Sequence, residues 1–399
     1  MQLIDSIVTE AAALTALRRD LHAHPELCFE EQRTAEVVAA QLAAWGAEVH
    51  RGLAKTGVVG MIHGRDGGAS GRMIGLRADM DALPLTECNT FAHASQHPGK
   101  MHACGHDGHT AMLLAAAQYL ACTRDFDGTV VCIFQPAEEG GGGAREMIAD
   151  GLFTRFPVQA VFGMHNWPGI PAGHFAVKAG PVMASSNEFH ITLTGKGAHA
   201  AMPHLGLDPV PAACQMVQGF QTIISRNRDP LEPAVISVTM IHTGEATNVI
   251  PERADIRGTV RTFSTEMLDL IEARMREIAT HTAAAFGLGC DFAFKRNYPP
   301  TINHPAEAEF ARRVMVDMVG ADAVQEFVPS MGAEDFSFML QEKPGAYLII
   351  GNGDGDHRAP GHGLGPCTLH NPNYDFNDDL IPLGGSFWVR LAQAWLARG

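Results

Sequence analysis

The chain has 399 residues, of which 46% are hydrophobic and 18% are charged, a composition that excludes a disordered chain and allows two or three globular domains. Its formal net charge of −15 and the lack of a Lys/Arg-rich run argue against a nucleic-acid partner, and no apolar stretch reaches the roughly 18 residues of a membrane span. Eight cysteines are too sparse for a disulfide framework, so we expect a cytoplasmic protein in which Cys122, Cys132 and Cys214, all within apolar runs, are buried free thiols.

The first part of the chain alternates helical and strand-like patterns. The N-terminal 20 residues carry Asp5 and Glu10 where a signal peptide would be basic and then apolar, so this stretch is predicted to be an amphipathic helix. A further helix is predicted over 108–123, and buried strands are predicted over 57–64, 73–79, 128–135 and 160–166. Strands that are apolar on both faces and alternate with helices indicate an α/β fold with a mostly parallel sheet covered on both sides.

The pattern changes near residue 187. The predicted elements are then a strand (188–195), a helix (207–226), two strands (234–241 and 253–263), a helix (265–286) and a strand (290–297). This βαββαβ order is that of a ferredoxin-like sandwich. After residue 298 the αβ character returns, with a buried strand over 346–352 and a Gly-rich loop over 351–365. We therefore predict a discontinuous domain of 1–186 and 298–399, with an inserted domain of 187–297.

The stretch "MHACGHDGHT" (101–110) concentrates possible metal ligands. Cys104 and His106 would point apart by about 200° on a helix, but they can converge on a loop that enters a helix starting just after His106. A thiolate and an imidazole suit zinc or another transition metal. His102 and His109 are expected to pack or hydrogen-bond nearby, and Asp107 to open the helix or support the site.

Other polar residues follow predicted strands. Asp79 closes the strand 73–79, Glu138 and Glu139 follow the strand 128–135, and His165 ends the strand 160–166; His370 lies in "LHNPNYDF" near the C-terminus. The carboxyl ends of parallel strands are where such sheets bind ligands. The alternatives are ordinary ones: acidic residues favoured at a helix start, and single histidines on the surface or in the core.

Eight motifs, in order between about residues 18 and 378, together resemble the M20 metallopeptidase family, and more narrowly its branch of aminoacylases and hippurate hydrolases, which are N-acyl-amino-acid amidohydrolases. The motifs are "RRDLHAHPELCFEE", "LRADMDALPL", "MHACGHDGHT", "QPAEEGGGGAREMI", "GKGAHAAMPH", "TNVIP", "MGAEDFSF" and "LHNPNYDF".

The resemblance implies two divalent metal ions per subunit, Zn or else Mn, Co or Ni. The implied ligands are Cys104, shared by both ions, Glu139 and His370 for one ion, and His106 and His165 for the other. Glu138 is implied to be the general base for a metal-activated water, and Asp79 to orient a ligating imidazole.

The resemblance also implies that the inserted domain is a lid that forms a homodimer, possibly within a higher oligomer, and carries His199 into the partner's active site. Asn248 and Arg261 match positions that face substrate. From the residues alone, His199 shows nothing catalytic and Arg261 reads as a solvated charge on a strand. The family often has Asp where this chain has Asn187, which affects local hydrogen bonding rather than the chemistry.

The expected function is a metal-dependent hydrolase that cleaves the amide bond of small N-acyl amino acids. Two alternatives stay open. One keeps the chemistry with another substrate, as in a dipeptidase, a carboxypeptidase-like enzyme or a biosynthetic deacylase. The other is a non-catalytic, metal-dependent ligand-binding protein. Glu138 favours an enzyme, because a structural metal site has a closed ligand set and no use for a spare carboxylate.

Overall fold

The computed structural model describes residues 1–358 and 360–398, with the side chain of residue 66 excepted. The chain divides into two compact units. Unit 1 comprises Met1–Gly180, Ile302–Val328 and Asp335–Gly399, and unit 2 comprises Pro181–Thr301 and Pro329–Glu334. Each unit has its own buried hydrophobic cluster.

The described residues form sixteen strands and eleven α-helices. The strands are β1 (Glu48–Leu53), β2 (Gly57–His63), β3 (Met73–Asp79), β4 (Thr129–Gln135), β5 (Ala160–Pro168), β6 (Phe175–Val177), β7 (Gly180–Met183), β8 (Ser186–Thr194), β9 (Ala198–His199), β10 (Ala234–Thr243), β11 (Val249–Ile250), β12 (Arg253–Thr262), β13 (Gly289–Tyr298), β14 (Thr301–Asn303), β15 (Val324–Glu326) and β16 (Gly345–Gly353). The helices are α1 (Asp5–Thr9), α2 (Ala11–Ala23), α3 (Gln32–Ala44), α4 (His106–Thr123), α5 (Gly143–Ala149), α6 (Leu152–Arg155), α7 (Pro209–Thr222), α8 (Thr265–Ala285), α9 (Pro305–Val319), α10 (Phe336–Glu342) and α11 (Leu380–Leu396).

Unit 1 is built on an eight-stranded sheet of order β1-β2-β4-β3-β5-β16-β6-β15. The four central strands, β4, β3, β5 and β16, run parallel, which confirms the predicted mostly parallel α/β fold. Toward one edge, β2 is antiparallel to both of its neighbours, and toward the other edge β6 is antiparallel to β16. A strand that is apolar on both faces is expected to be buried, but this pattern does not indicate the direction of the strand. The sequence therefore could not distinguish β2 from the parallel strands.

Helices cover both faces of this sheet. Apolar residues of β3, β4, β5 and β16 on one face form a single cluster with α3, α4, α9 and α11. On the other face, the Phe336 ring of α10 lies 5.6 Å from the Tyr347 ring of β16. This double cover explains why all seven residues of β4 are buried.

Helix α4 fixes the N-terminal side of the site described below. All residues from His106 to Ala117 are buried, and the helix contacts α2, α11 and β3. The run from Ala111 to Ala117 is apolar without interruption, as expected of a helix segment surrounded by the core. Each buried Leu or Met side chain contributes about 1.5–3 kcal/mol relative to exposure, so the position of the α4 N-terminus is strongly constrained.

Unit 2 contains an antiparallel four-stranded sheet of order β10-β12-β8-β13. The apolar residues that alternate along β8 and β12 pack against α7 and α8 in one cluster. In chain order the main elements are β8-α7-β10-β12-α8-β13, and this strand order is that of a ferredoxin-like sandwich. Asp208 caps α7 and Ser264 caps α8, each accepting a backbone N–H of the first turn.

Two smaller expectations are corrected. Cys132 is buried in β4, but Cys122 and Cys214 are exposed, because each lies on the solvent side of a helix whose apolar residues face the core. The N-terminal helical stretch is divided at Glu10 into α1 and α2. Among the described residues, no helix combines the length and hydropathy that a membrane span requires.

Candidate active site

The ends of three neighbouring parallel strands in unit 1 bring polar residues to one edge of the sheet. β3 ends at Asp79, β4 ends shortly before the turn that carries Glu138 and Glu139, and β5 carries His165 near its end. Open α/β sheets bind their ligands at this edge. The segment that leads into α4 and the C-terminal segment around His370 bring the remaining candidate ligands to the same place.

Cys104 belongs to two groups of potential metal ligands. Its Sγ atom lies within 4.8 Å of ligand atoms of His106 and His165, and also within 4.8 Å of ligand atoms of Glu139 and His370. Within these groups, Cys104 Sγ lies 3.3 Å from His165 Nε2, and His370 Nε2 lies 3.0 Å from Glu139 Oε1. The five residues that the resemblance assigned to two ions therefore lie together, with Cys104 common to both groups.

Gly105 allows Cys104 and His106 to converge. Its φ of +91° lies in the left-handed region, and α4 begins at His106 itself rather than just after it. A Cβ atom at Gly105 would lie 2.3 Å from Asn166 Oδ1 and 2.5 Å from the Tyr374 hydroxyl. Both the backbone angle and the space therefore require glycine between the two ligands.

The nitrogen atoms of the histidines suit metal coordination. Both ring nitrogens of His106 are buried and make no well-aligned hydrogen bond to the described residues, although Asp81 Oδ1 lies 3.3 Å from Nδ1 and Asp79 Oδ2 lies 3.7 Å from Nε2. The Nδ1–H of His165 donates to the Asn166 carbonyl at 2.6 Å, so its Nε2 presents a lone pair to the site. A buried polar atom without a partner is costly, and a divalent cation would satisfy one nitrogen of each imidazole. The set of one thiolate, imidazoles and carboxylates fits zinc and also accepts Mn, Co or Ni.

The surroundings of Cys104 and His106 favour the protonated forms of both side chains. Burial raises the pKa of the Cys104 thiol well above its usual range, and the neighbouring carboxylates of Glu139 and Glu138 raise it further. Burial opposes the charged form of His106, but Asp79 and Asp81 outweigh burial and raise the pKa of its imidazole to about 10. Metal uptake at this site must therefore displace protons.

Asp81 is a site residue that the sequence interpretation missed. Its carboxylate accepts the backbone N–H groups of Glu138 at 3.0 Å and of Glu139 at 2.9 Å, and its Oδ1 atom lies 3.3 Å from His106 Nδ1. Asp81 therefore contacts both the turn that carries the acidic residues and one candidate ligand. The signal was the second aspartate of "ADMDALP", which follows the strand end by two residues.

Asp79 lies in a buried network behind the candidate ligands. It accepts a hydrogen bond from His109 Nδ1 at 2.6 Å and forms an ion pair with Arg77 at 2.6 Å, while its Oδ2 atom lies 3.7 Å from His106 Nε2. Burial opposes its ionisation, but Arg77 and the two histidines hold the pKa of Asp79 well below its usual range. Among the histidines, His109 is therefore the one that Asp79 contacts most closely. Arg77 extends the network, since its Nη2 atom lies 3.1 Å from Asp335 Oδ1.

Glu138 is the second carboxylate of the turn after β4. It is buried, with 7% of its surface exposed, and its carboxylate lies within 4.8 Å of ligand atoms of His106 and Glu139. The adjacent Glu139 pairs with His370, so the two consecutive carboxylates have different neighbours. One carboxylate can therefore bind a metal ion while the other handles a proton.

The remaining residues of "MHACGHDGHT" support the site from behind. Asp107 forms ion pairs with Arg18 Nε at 2.9 Å and His22 Nδ1 at 2.8 Å, and all three side chains are fully buried. Burial lowers the pKa of His102 to about 4, and neither of its ring nitrogens has a hydrogen-bond partner among the described residues. His102 is therefore a neutral, packed imidazole, as expected.

The four residues singled out in unit 2 differ in exposure. His199 and Asn248 are exposed and meet through a small ribbon in which the Ala200 N–H donates to the Asn248 carbonyl at 3.0 Å. Arg261 is half-buried rather than freely solvated, and it donates to the Ser185 carbonyl at 3.3 Å. Asn187 is buried and uses its amide N–H groups to bond Ser185 Oγ and the Val260 carbonyl; an ionised Asp could not donate to that carbonyl.

Parallel strands that end at a cluster of cysteine, histidine and carboxylate ligands, with a second buried carboxylate beside it, are typical of a metal-dependent hydrolase. Residues 75–394 match the peptidase family M20/M25/M40, and the chain belongs to this family. The predicted family and the predicted enzyme class, a metallohydrolase that acts on C–N amide bonds, are confirmed, and the alternative of a non-catalytic binding protein is set aside.

Named relatives extend this assignment. The chain is 39% identical over 397 residues to a hippurate hydrolase of Campylobacter jejuni, covering 99% of this chain and 100% of that one. It is 38% identical over 388 residues to IAA-amino acid hydrolase ILR1-like 4 of Arabidopsis thaliana, covering 96% and 86% of the two chains. The solved structure of the YxeP protein of Bacillus subtilis, described as a dinuclear metal-binding peptidase of the M20 family, superposes with a TM-score of 0.83 at 33% identity, covering 98% and 99%.

Proposed function

We propose that the protein hydrolyses the amide bond of N-acyl amino acids and releases a carboxylic acid and a free amino acid. The observation that carries the proposal is the pair of ligand groups around Cys104 with the buried carboxylate of Glu138 beside them. A structural metal site would have no use for that carboxylate. The names of the relatives, hippurate hydrolase and IAA-amino acid hydrolase, support an acylated amino acid as the substrate.

Two divalent ions per subunit are part of this proposal. Glu139 and His370 would hold one ion, His106 and His165 the other, and Cys104 would be shared. When bound, the ions polarise the scissile carbonyl and lower the pKa of the attacking water. Zn, Mn, Co and Ni are all compatible with the ligand set, and availability decides among them.

Glu138 acts as the general base. It accepts a proton from the attacking water and then donates that proton to the amine that leaves as the amide bond breaks. Asp81 positions the turn that carries Glu138 through two backbone hydrogen bonds, and Asp79 keeps His109 and Arg77 fixed behind the ligands. These residues orient the reacting groups without taking part in proton transfer.

His199 is proposed to act across a homodimer, as a hydrogen-bond donor to the oxygen that becomes negative during the attack. Its Nδ1 atom accepts the Ala201 N–H at 3.0 Å, so the proton of the neutral ring resides on the exposed Nε2. Arg261 and Asn248 are proposed to bind the α-carboxylate of the substrate, a role that the guanidinium group suits.

The homodimer is proposed to form through unit 2, and it could be part of a higher oligomer. β10 is an edge strand of the four-stranded sheet, and it exposes 49% of Met240 and 47% of Ile241. Exposed apolar residues on an edge strand invite pairing with another chain. The cytoplasmic location stays a prediction.

A substrate screen with controlled metal content tests the proposal. The protein is stripped with a chelator, reloaded with one metal at a time, and assayed for amino-acid release from N-benzoylglycine, N-acetyl amino acids and unblocked dipeptides. We expect metal-dependent release from the N-acylated substrates. Preferential release from unblocked dipeptides would instead assign a dipeptidase with the same chemistry.

A further inference from the structure

Backbone strain in unit 1 concentrates around one buried carboxylate. Six non-glycine residues have a positive φ among the described residues, and four of them lie in three short segments that meet at Glu31. These four residues are Phe29 at 62°, Ala54 at 48°, Lys55 at 72° and Ala137 at 55°. Such conformations cost about 1 kcal/mol or more each and persist only where surrounding contacts impose them.

Glu31 supplies contacts to all three segments. Its Oε1 atom accepts the Phe29 N–H at 3.0 Å and the Ala137 N–H at 2.9 Å, and its Oε2 atom accepts the Thr56 hydroxyl at 2.6 Å. The residue is fully buried. A carboxylate that takes three hydrogen bonds from three segments fixes their relative positions, because losing it leaves buried donors unpaired.

Ala137 is the residue through which Glu31 reaches the site. It immediately precedes Glu138 and Glu139, and its left-handed conformation turns the chain after β4 so that these residues face the candidate ligands. The side of the turn beyond Ala137 is held by Asp81, which accepts the N–H groups of both glutamates. The turn is therefore fixed at three consecutive backbone N–H groups by two buried carboxylates.

The segment that carries Glu31 runs alongside the rest of the site. The Cys28 thiol lies 3.1 Å from the Glu139 carbonyl and 3.3 Å from Asp81 Oδ2, and Leu27 forms a bridge with Ala82. The segment from Glu26 to Glu31 thus contacts both the turn after β4 and the residues that follow β3. Of its side chains, Cys28 and Glu31 make these contacts, whereas the Glu26 carboxylate accepts the backbone N–H groups of Arg33 and Thr34.

We propose that Glu31 is a positioning residue that holds the turn carrying Glu138 and Glu139 in the conformation needed for metal binding and proton transfer. This inference rests on the proposed function for the roles of those two glutamates. Glu31 does so through hydrogen bonds and not through its charge. Burial raises the pKa of Glu31 to about 7, so a neutral side chain of the same shape is close to a state that the residue itself adopts.

The experiment compares variants of the full-length protein at Glu31 with matched variants at Glu30, whose exposed carboxylate pairs with Lys100 at 2.9 Å and is absent from the turn. Affinity for Zn²⁺ and Mn²⁺ is measured by calorimetry on stripped protein, and kcat and KM are measured on the reloaded enzyme. We expect Glu31→Ala to weaken binding of one of two ions at least tenfold and to lower kcat with little change in KM. Glu31→Gln should stay within threefold of wild type, and Glu30→Ala should not differ from it.

Glu31→Asp is a second test variant, which is needed if Glu31→Ala fails to fold. The aspartate keeps the charge but is one methylene too short to bond Ala137 N–H, so it should share the metal-binding defect. Wild-type metal affinity in Glu31→Asp or Glu31→Ala, with only a lowered melting temperature, would overturn the positioning role. Metal affinity is read without substrate, so this outcome is separate from a failure of the protein to hydrolyse N-acyl amino acids.

Discussion

The Nε2 atom of His165 lies 3.3 Å from the Sγ atom of Cys104. The other nitrogen of the same ring donates its proton to the Asn166 carbonyl at 2.6 Å, which fixes both the tautomer and the ring orientation. The pair therefore presents an imidazole lone pair and a thiol side by side.

Metal affinity should rise steeply with pH. Burial and neighbouring carboxylates raise the pKa of the Cys104 thiol, and carboxylates raise the pKa of His106 to about 10, so both ligands carry protons near neutrality in the stripped protein. Binding needs the deprotonated forms and so releases protons. Calorimetry of Zn²⁺ binding in buffers of different ionisation enthalpy measures this release between pH 6 and 9. Equal affinity across that range would contradict these protonation states.

Cys104→Ala should lose bound metal as well as activity, because the Cys104 Sγ atom is common to both ligand groups. We expect metal content after dialysis to fall toward zero in this variant. The exposed Cys122, replaced in the same way, is the matched control and should keep the wild-type content. Full stoichiometry in Cys104→Ala, measured by plasma mass spectrometry, would rule out the shared-ligand role.

Glu138→Gln should separate metal binding from catalysis. The amide keeps the size of the side chain but cannot accept a proton from water, so kcat should fall by about 10²–10⁴-fold, the range typical of general-base loss. Metal content should stay at the wild-type value, because Glu139 and not Glu138 lies with Cys104 and His370. Unchanged turnover would show that another group accepts the proton.

The sequence predicted site residues correctly where a polar, potentially ligating residue followed the end of a buried strand. Asp79, the two glutamates and His165 could be placed at one sheet edge because burial marks the strands and parallel strands end together. Glu31 could not be found in this way, since its role depends on segments that meet only in the folded chain. The antiparallel direction of β2 could not be predicted either. The residues of a strand show that it is buried, but its neighbours and its direction are decided only when the sheet assembles.

Mixed dimers test whether His199 acts in trans. In a hybrid of His199→Ala and Glu138→Gln subunits, one of the two sites regains both residues if His199 comes from the partner. Random subunit exchange should then restore roughly a quarter of the wild-type activity from two poorly active parents. Activity that stays at the parental level after verified exchange would place His199 outside the partner's site.

The buried pair of His22 and Asp107 should make folding stability fall as the pH rises above neutrality. Burial and Arg18 oppose the charged imidazole, but the contacts to Asp107 and Glu87 outweigh them and raise the pKa of His22 from 6.5 to about 9. Below pH 6.5 the ring is protonated in both the folded and the unfolded chain, so its contribution is complete. Between pH 6.5 and about 9 only the folded chain keeps the proton, and the contribution, at most about 3 kcal/mol, is progressively lost. Urea unfolding of metal-loaded protein at several pH values should show this decline, and His22→Gln should flatten it; an equal slope in both proteins would contradict a protonated His22.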